Sequence, residues 1–357
     1  MKLNPMLEEV AVEQAVGMVL GHDLTQIVPG QFKGRLFKKG HVIREEDIPA
    51  LLSIGKEHIY TIRLEPGYLH EDEAAARLAR AAAGANVEWT EPHEGKITLK
   101  SAIHGLALID KARVDAVNAL DQIIMSTIRS GTVVKPGQPL MGTRVIPLLI
   151  EEARVAEAER LALTRSGGVG SDEAVKTDGI GDGTVSHASR AVVSVKPFRP
   201  LRAGLITTGS EVFKGRITDK FGPVVKEKLA ALGSEVIEQR LAPDDSETIV
   251  QDIRRFRYEL GADLILLTGG MSVDPDDRTP GAIKQAGTDI VSYGTPMLPG
   301  SMLLIGYLEG VPIMGLPGCV MHDPYTSFDV LLPYICAGER ITRQHITELG
   351  YGGLQGC

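Results

Sequence analysis

The sequence predicts an α/β fold in its last third, a parallel sheet covered on both faces, preceded by an α+β N-terminal region. Three observations carry this expectation. Apolar strand-like runs at Ala203–Thr208, Glu235–Glu238 and Leu264–Leu267 alternate with helix-like segments at Pro223–Leu232 and around Ile249–Leu260, the rhythm of a parallel sheet with its crossovers on the faces. Leu264–Leu267 is apolar throughout, as a strand buried on both faces must be. Glycine and aspartate clusters follow these strands, at the carboxyl edge where such sheets bind ligands.

Composition bounds the alternatives. A chain of 357 residues suits two or three domains. With 43% hydrophobic and 24% charged residues its usage is globular, which excludes disorder throughout. The formal charge of −8 argues against a nucleic-acid partner. Cys319, Cys336 and Cys357 cannot all pair with one another and suit a reducing compartment. The start MKLNPMLEEV lacks the apolar core of a signal peptide, and no stretch reaches the roughly 18 apolar residues of a membrane span. A cytoplasmic protein with no membrane partner is expected.

Residues 1–66 read as a small β-rich lobe. Ala15–Leu20 and Ile59–Ile62 are apolar, and Glu45–Leu52 reads as a short helix with acidic residues in its first turn. The basic run Lys33, Arg35, Lys38 and Lys39 reads as a solvated hairpin face in preference to an anion site. Residues 67–165 read as an α+β lobe. Asp72–Ala83 is rich in strong helix formers. A strand pair is expected over 95–110, around His104-Gly105, and Val114, Val117, Leu120, Ile124 and Ile128 recur at helical spacing. Lys135-Pro136-Gly137 turns between extended stretches, and Glu151–Leu163 is again helical. No catalytic constellation stands out in this half. Residues 165–190 hold too few large apolar groups to offset their ordering entropy, and 166–199 reads as a flexible linker or hairpin, with Pro197 and Pro200 closing the approach to the next domain.

Four loops of the last third could carry chemistry. Thr207-Thr208-Gly209-Ser210 closes the first strand; small residues there let backbone N–H groups face an anion, although a plain turn reads equally well. Pro243-Asp244-Asp245 precedes a helix, where aspartates most often cap. Thr268-Gly269-Gly270-Met271-Ser272 leads into Asp274, Asp276 and Asp277 and then Thr279-Pro280. Carboxylates on a loop beside a phosphate cradle suit Mg²⁺; a solvated acidic turn is the alternative. The fourth loop runs from Gly294 to Ser301, including Pro299-Gly300, through a hairpin, Met302–Tyr307 and Val311–Gly315, to Gly315-Leu316-Pro317-Gly318-Cys319. Cys319, His322 and Asp323 follow, too few to favour a metal site over a structural role.

Taken together, residues 200–340 resemble the molybdopterin-binding domain of the molybdenum-cofactor biosynthesis proteins, leaving 341–357 as a tail. The resemblance rests on Thr268-Gly269-Gly270 with Asp277, Thr279, Pro280 and Ala282, on Pro243-Asp244, and on Leu316-Pro317-Gly318. It implies a three-layer α/β domain that binds molybdopterin through Thr208, Gly209, Ser210, Gly269, Gly270, Ser272, Thr279, Pro299, Gly300, Pro317 and Gly318. It further implies catalytic aspartates at Asp244 and Asp277, Mg²⁺ held by Asp244, Asp274 and Asp277, ATP or molybdate as co-substrate, and a homo-oligomer. One branch of the family transfers AMP from ATP to molybdopterin; the other inserts molybdenum. The chain departs from both. Met271-Ser272 stands where the adenylyltransferases carry Thr-Gly, Cys319-Val320 where the insertases carry Asn-Pro, and residues 1–195 lack the insertases' Ser-x-Met-Asp-Gly-Tyr-Ala segment. Two further readings follow, a molybdopterin carrier or sensor without catalysis and a nucleotide pyrophosphatase. The latter is suggested by a related family with a Gly-Gly…Asp-Asp-x-Thr loop.

Overall fold

The computed structural model describes residues 7–28, 32–62, 66–164, 191–272, 274 and 277–356. The chain forms two compact units, one of residues 1–101, 109–128 and 137–194, the other of 102–108, 129–136 and 195–357. Of the linker expected at 166–199, residues 166–190 lie outside the described residues, whereas Val193–Pro197 is a strand and not flexible chain.

In the first unit, Leu7–Ala11, His58–Ile62 and Val19–Leu20 form a three-stranded antiparallel sheet beside the hairpin Leu24–Val28/Phe32–Phe37. Val12, Leu20, Leu24, Ile43, Leu51 and Ile59 make its core. A second sheet orders Ile123–Thr127, Pro139–Val145, Lys96–Ser101 and Val87–Trp89. The helix Glu71–Ala82 buries Ala74, Ala75, Leu78, Ala79 and Ala82, one stripe at helical spacing. Its Arg77 reaches Glu152 and Glu159 of the helix Glu152–Leu163 at 2.9 Å.

Three sequence expectations need correction here. The strands within 95–110 exist, but Lys96–Ser101 and Gly105–Ile109 join different sheets instead of pairing with each other. The helix carrying Val114 and Val117 stops at Asn118, whose side-chain amide bonds both backbone groups of Met125. Ile123–Thr127 is then a strand that buries Ile123 and Met125 and exposes Ile124, so a helix face followed by an alternating strand mimicked one long helical stripe. Lys39 is not on a solvated face. Its side chain is only 11% exposed and forms an ion pair with Glu71, while Arg35 pairs with Asp23; the Lys33 side chain lies outside the described residues.

The second unit is built on a six-stranded sheet in the order Glu235–Ala242, Arg202–Thr208, Leu264–Thr268, Val311–Leu316, Leu304–Leu308, Asp289–Tyr293. The first four run parallel, as expected; Leu304–Leu308 runs antiparallel to both of its neighbours, so the edge strand Asp289–Tyr293 points the same way as the first four. The reversal follows from the two-residue turn Glu309-Gly310, both at positive φ (46° and 85°), which joins two of the strands as a hairpin. Alternate residues of each strand serve opposite faces. Leu205, Leu266 and Met314 pack with Phe328 and Leu332 of the helix Ser327–Cys336. Ile206, Ile265 and Leu267 pack with Ile253, Phe256 and Ile283 on the other side. Helices on both faces make three layers. Gly204 lies directly against the Phe256 ring, where a Cβ would overlap it.

The helix Ser327–Cys336 starts at a buried capping residue. Thr326 donates its hydroxyl and its backbone N–H to the Asp329 carboxylate, at 2.9 and 2.8 Å. Thr326→Ala is expected to lower stability by about 1 kcal/mol, read as a shift of the denaturation midpoint with an unchanged m-value. An unaltered midpoint would show that the cap contributes nothing.

Candidate functional site

The site is assembled at the carboxyl ends of the parallel strands. Leu264–Thr268 ends in Gly269 and Gly270, both at positive φ (87° and 55°). A Cβ on Gly269 would overlap the Thr208 carbonyl, and one on Gly270 would lie 2.9 Å from the Thr279 hydroxyl. The glycines are therefore required by the neighbouring strand and helix ends, whatever ligand approaches them. Beneath them Thr208 and Thr279, 4% and 1% exposed, place their hydroxyls 3.2 Å apart. Thr279 donates to the Gly269 carbonyl (2.9 Å) and Thr208 to that of Thr268 (3.2 Å).

Met271 turns its side chain into the core against Gly315, where an added Cβ would meet its Sδ at 2.5 Å. The chain then carries Ser272, Asp274 and Asp277 outward, with the Asp277 N–H donating to the Asp274 carbonyl at 3.0 Å. Tyr293, at the end of the edge strand, lies within hydrogen-bonding distance of the carbonyls of Met271 (3.1 Å) and Ser272 (3.3 Å). Its phenol is shifted above the ordinary tyrosine range by burial and by the nearby Asp277 charge. A second wall comes from Leu298-Pro299-Gly300, joined by a cis peptide between Leu298 and Pro299. The Gly300 carbonyl accepts from Thr295 and Ser327 at 2.9 and 2.7 Å. Leu316-Pro317-Gly318-Cys319 forms a third.

These loops enclose a cavity of about 690 Å³. Of the residues singled out in the sequence, Gly269, Gly270, Ser272, Asp274, Asp277, Pro299, Gly300, Pro317 and Gly318 line it together. Thr208 and Thr279 stand behind it as buried support. Gly209, Ser210 and Asp244 do not line it; Asp244 accepts a hydrogen bond from the Ser210 N–H at 2.8 Å. Asp323 and Cys319 do line it, and His322 does not. Phe221, Met302 and Gly356 also line it. The sequence carried no signal for these three, nor for Tyr293. Gly356 is brought in by long-range pairing, with Leu298 bonding Gly353 and Gln355 through its backbone.

Among the described residues the cavity wall contains Asp274, Asp277 and Asp323 and no lysine, arginine or histidine. An anionic ligand would thus need a cation to enter with it. Among the described residues no group of three or more His, Cys, Asp or Glu side chains is gathered to hold a metal ion, so Asp244, Asp274 and Asp277 form no cage. Mg²⁺ nevertheless fits this donor chemistry, since it takes one or two carboxylates together with substrate phosphate and keeps waters. Tyr293→Phe is expected to weaken ligand binding about fivefold at unchanged thermal stability, because it releases the Met271–Ser272 backbone that carries the aspartates. Equal affinities measured by calorimetry would remove Tyr293 from the site.

Comparison with known proteins agrees with this geometry. Residues 204–336 match a family model described as a probable molybdopterin binding domain, and residues 9–63 match one described only as a domain of unknown function. A molybdopterin molybdenumtransferase of Haemophilus influenzae is 29% identical over 155 residues, 42% of this chain and 38% of the relative. A CinA-like protein of Mycobacterium tuberculosis is 38% identical over 78 residues, 22% of this chain and 18% of the relative. The chain thus spans well under half the length of these curated relatives. Among solved structures, the molybdopterin biosynthesis enzyme MoaB of Thermus thermophilus aligns with 42% of this chain and 97% of its own, at 25% identity and a TM-score of 0.34. The similarity to molybdenum-cofactor biosynthesis proteins is thus concentrated in residues 204–336, the segment that carries the cavity.

Proposed function

We propose that this protein binds molybdopterin in the 690 Å³ cavity and acts in molybdenum-cofactor biosynthesis, at a step that handles the phosphate arm of the pterin with Mg²⁺. The observation that carries the proposal is the coincidence of the family match at 204–336 with a cavity whose carboxylates stand at the strand ends of that segment. In this reading the Gly269-Gly270 backbone borders the phosphate. Asp274 and Asp277 hold Mg²⁺ against it, and the two Pro-Gly corners, Pro299-Gly300 and Pro317-Gly318, present rigid backbone to the flat pterin. Mg²⁺, when bound, supplies charge neutralisation at the phosphate. The co-substrate is ATP or molybdate, the working form a homo-oligomer, and the compartment the cytoplasm.

A second reading, a carrier that binds molybdopterin without transforming it, is favoured by Asp244, which lies outside the cavity and accepts from Ser210 instead. Calorimetry with molybdopterin and with ATP, each with Mg²⁺, separates the two. Binding of both ligands, with the ATP arm weakened in Asp277→Asn, supports the transferase. Binding of the pterin alone supports the carrier. Binding of neither contradicts both.

A further inference from the structure

Gly356 enters the lining of the 690 Å³ cavity as part of a short strap, residues 351–356, which follows the helix Arg343–Glu348. Ile346 of that helix is 1% exposed and packs in the core with Phe328 and Leu332, so the base of the strap is fixed. The strap then lies against the loop that carries Pro299-Gly300. The Leu298 N–H donates to the Gly353 carbonyl and the Gln355 N–H to the Leu298 carbonyl, both at 2.9 Å, which makes one rung of parallel pairing between Leu298 and Leu354. Gly353 permits this approach, since a Cβ there would overlap the carbonyls of Leu349 and Pro296.

On that base the strap is built to lift. Of residues 351–356 only Gly353 is buried, and the side chains of Tyr351 and Leu354 stand in solvent. Neither belongs to the core clusters of the unit, so lifting the strap withdraws no apolar surface from a core. Opening breaks the Leu298 pairing, whose partners are themselves exposed residues, and water can replace those bonds. Gly350, Gly352 and Gly353 supply the backbone freedom that a hinge needs, Gly352 already at φ 78°. Segments with exposed side chains and solvent-accessible backbone bonds are those that open locally while the rest of a fold stays closed. The Gly269-Gly270 wall is the opposite case, since Thr279 holds it from within the core.

We propose that residues 351–356 gate the cavity: the strap lifts from Leu298 to admit a bulky ligand and closes behind it, with Gly356 as the moving wall. Because Leu298 directly precedes Pro299-Gly300, closure also sets the corner that faces the ligand. As a gate for molybdopterin the strap rests on the function proposed above; as a gate for the cavity it rests on the geometry alone.

Cys319, a half-buried thiol on the cavity wall, reports on the gate without any pterin. Cys336 does not compete, because burial pushes its thiol up to about 11. Cys357→Ser removes the third thiol of the sequence. The rates at which this variant reacts with a bulky aromatic disulfide, dithionitrobenzoate, and with the small iodoacetamide are compared with those of a chain ended at Gly350. Loss of the strap is expected to speed the bulky reagent about tenfold and iodoacetamide less than about twofold, because only a large reagent waits for the strap to open. Cys319→Ser, in which the reaction vanishes, assigns the signal. Gln355→Pro, which deletes the N–H bonded to Leu298, should speed the bulky reagent severalfold and decides the matter if the shorter chain fails to fold. Equal rates with the bulky reagent, or equal acceleration of both reagents, would overturn the gate. Molybdopterin with Mg²⁺ should protect Cys319 and leave the shorter chain about tenfold faster than the longer one. Acceleration without such protection would uphold the gate and contradict the pterin reading instead.

Discussion

Asp277→Asn is expected to weaken Mg²⁺-dependent ligand binding by about 30- to 100-fold while leaving the thermal midpoint within about a degree of the wild type. The side chain is half-buried at the cavity wall, on the loop that leaves the strand Leu264–Thr268, and packs into neither core cluster. Its removal subtracts a charge where a cation and a phosphate would meet and takes little from the fold. The same substitution should leave any metal-independent component of pterin binding intact. Calorimetric titrations with Mg²⁺ and with EDTA, on both proteins, give the four affinities that the argument needs. Equal loss in both conditions would mean that Asp277 contacts the organic ligand itself, and no loss would remove it from the site.

Gly269→Ala is expected to act in the opposite way, on the fold first and on binding as a consequence. A residue with a Cβ at φ 87° is strained by about 1 kcal/mol or more. The new methyl would also be driven into the Thr208 carbonyl, which belongs to the adjacent strand and cannot rotate away. With overpacking of this kind adding roughly 1–3 kcal/mol, the total loss should be about 2–4 kcal/mol. Denaturant unfolding measures it directly. A loss below about 0.5 kcal/mol would mean that the two strand ends part readily. Gly318→Ala is the control, because a Cβ there meets nothing within 4 Å and stability should be unchanged.

These two residues also show how far the sequence could be read. The strand–helix alternation and the Gly-Gly and Leu-Pro-Gly corners are local signals, and the structure gathers them around one cavity. By sequence Asp244 reads as a helix cap and only the family resemblance gives it a role beside Asp277; a carboxylate's direction depends on the loop's path, and Asp244 turns to the Ser210 N–H. Gly269 reads in sequence as room for a ligand; in three dimensions the neighbour it makes room for is Thr208. Tyr293 and Gly356 were illegible because each reaches the site through pairing across sequence, of the edge strand in one case and of the tail in the other.

The N-terminal half was misread for a related reason. Val114, Val117, Leu120, Ile124 and Ile128 keep helical spacing across the end of the helix at Asn118 and a change to strand alternation at Ile123. Spacing alone cannot register that change; the Asn118 side chain, which bonds the Met125 backbone, makes it. Lys39, one of a run of basic residues, looked solvated, yet Asp23 and Glu71 come to it from 16 and 32 residues away. Only the folded unit reveals that its charge faces a cavity and not water.

The central claim is that the cavity of the second unit takes molybdopterin together with a divalent cation. It is tested most directly by titrating the whole chain with molybdopterin at fixed Mg²⁺ and again in EDTA. One saturable site per chain is expected with Mg²⁺, and an affinity at least about tenfold lower without it, because among the described residues three aspartates and no cationic side chain line the wall. Molybdopterin binding of equal strength in EDTA, or no saturable binding with Mg²⁺ present, would contradict it.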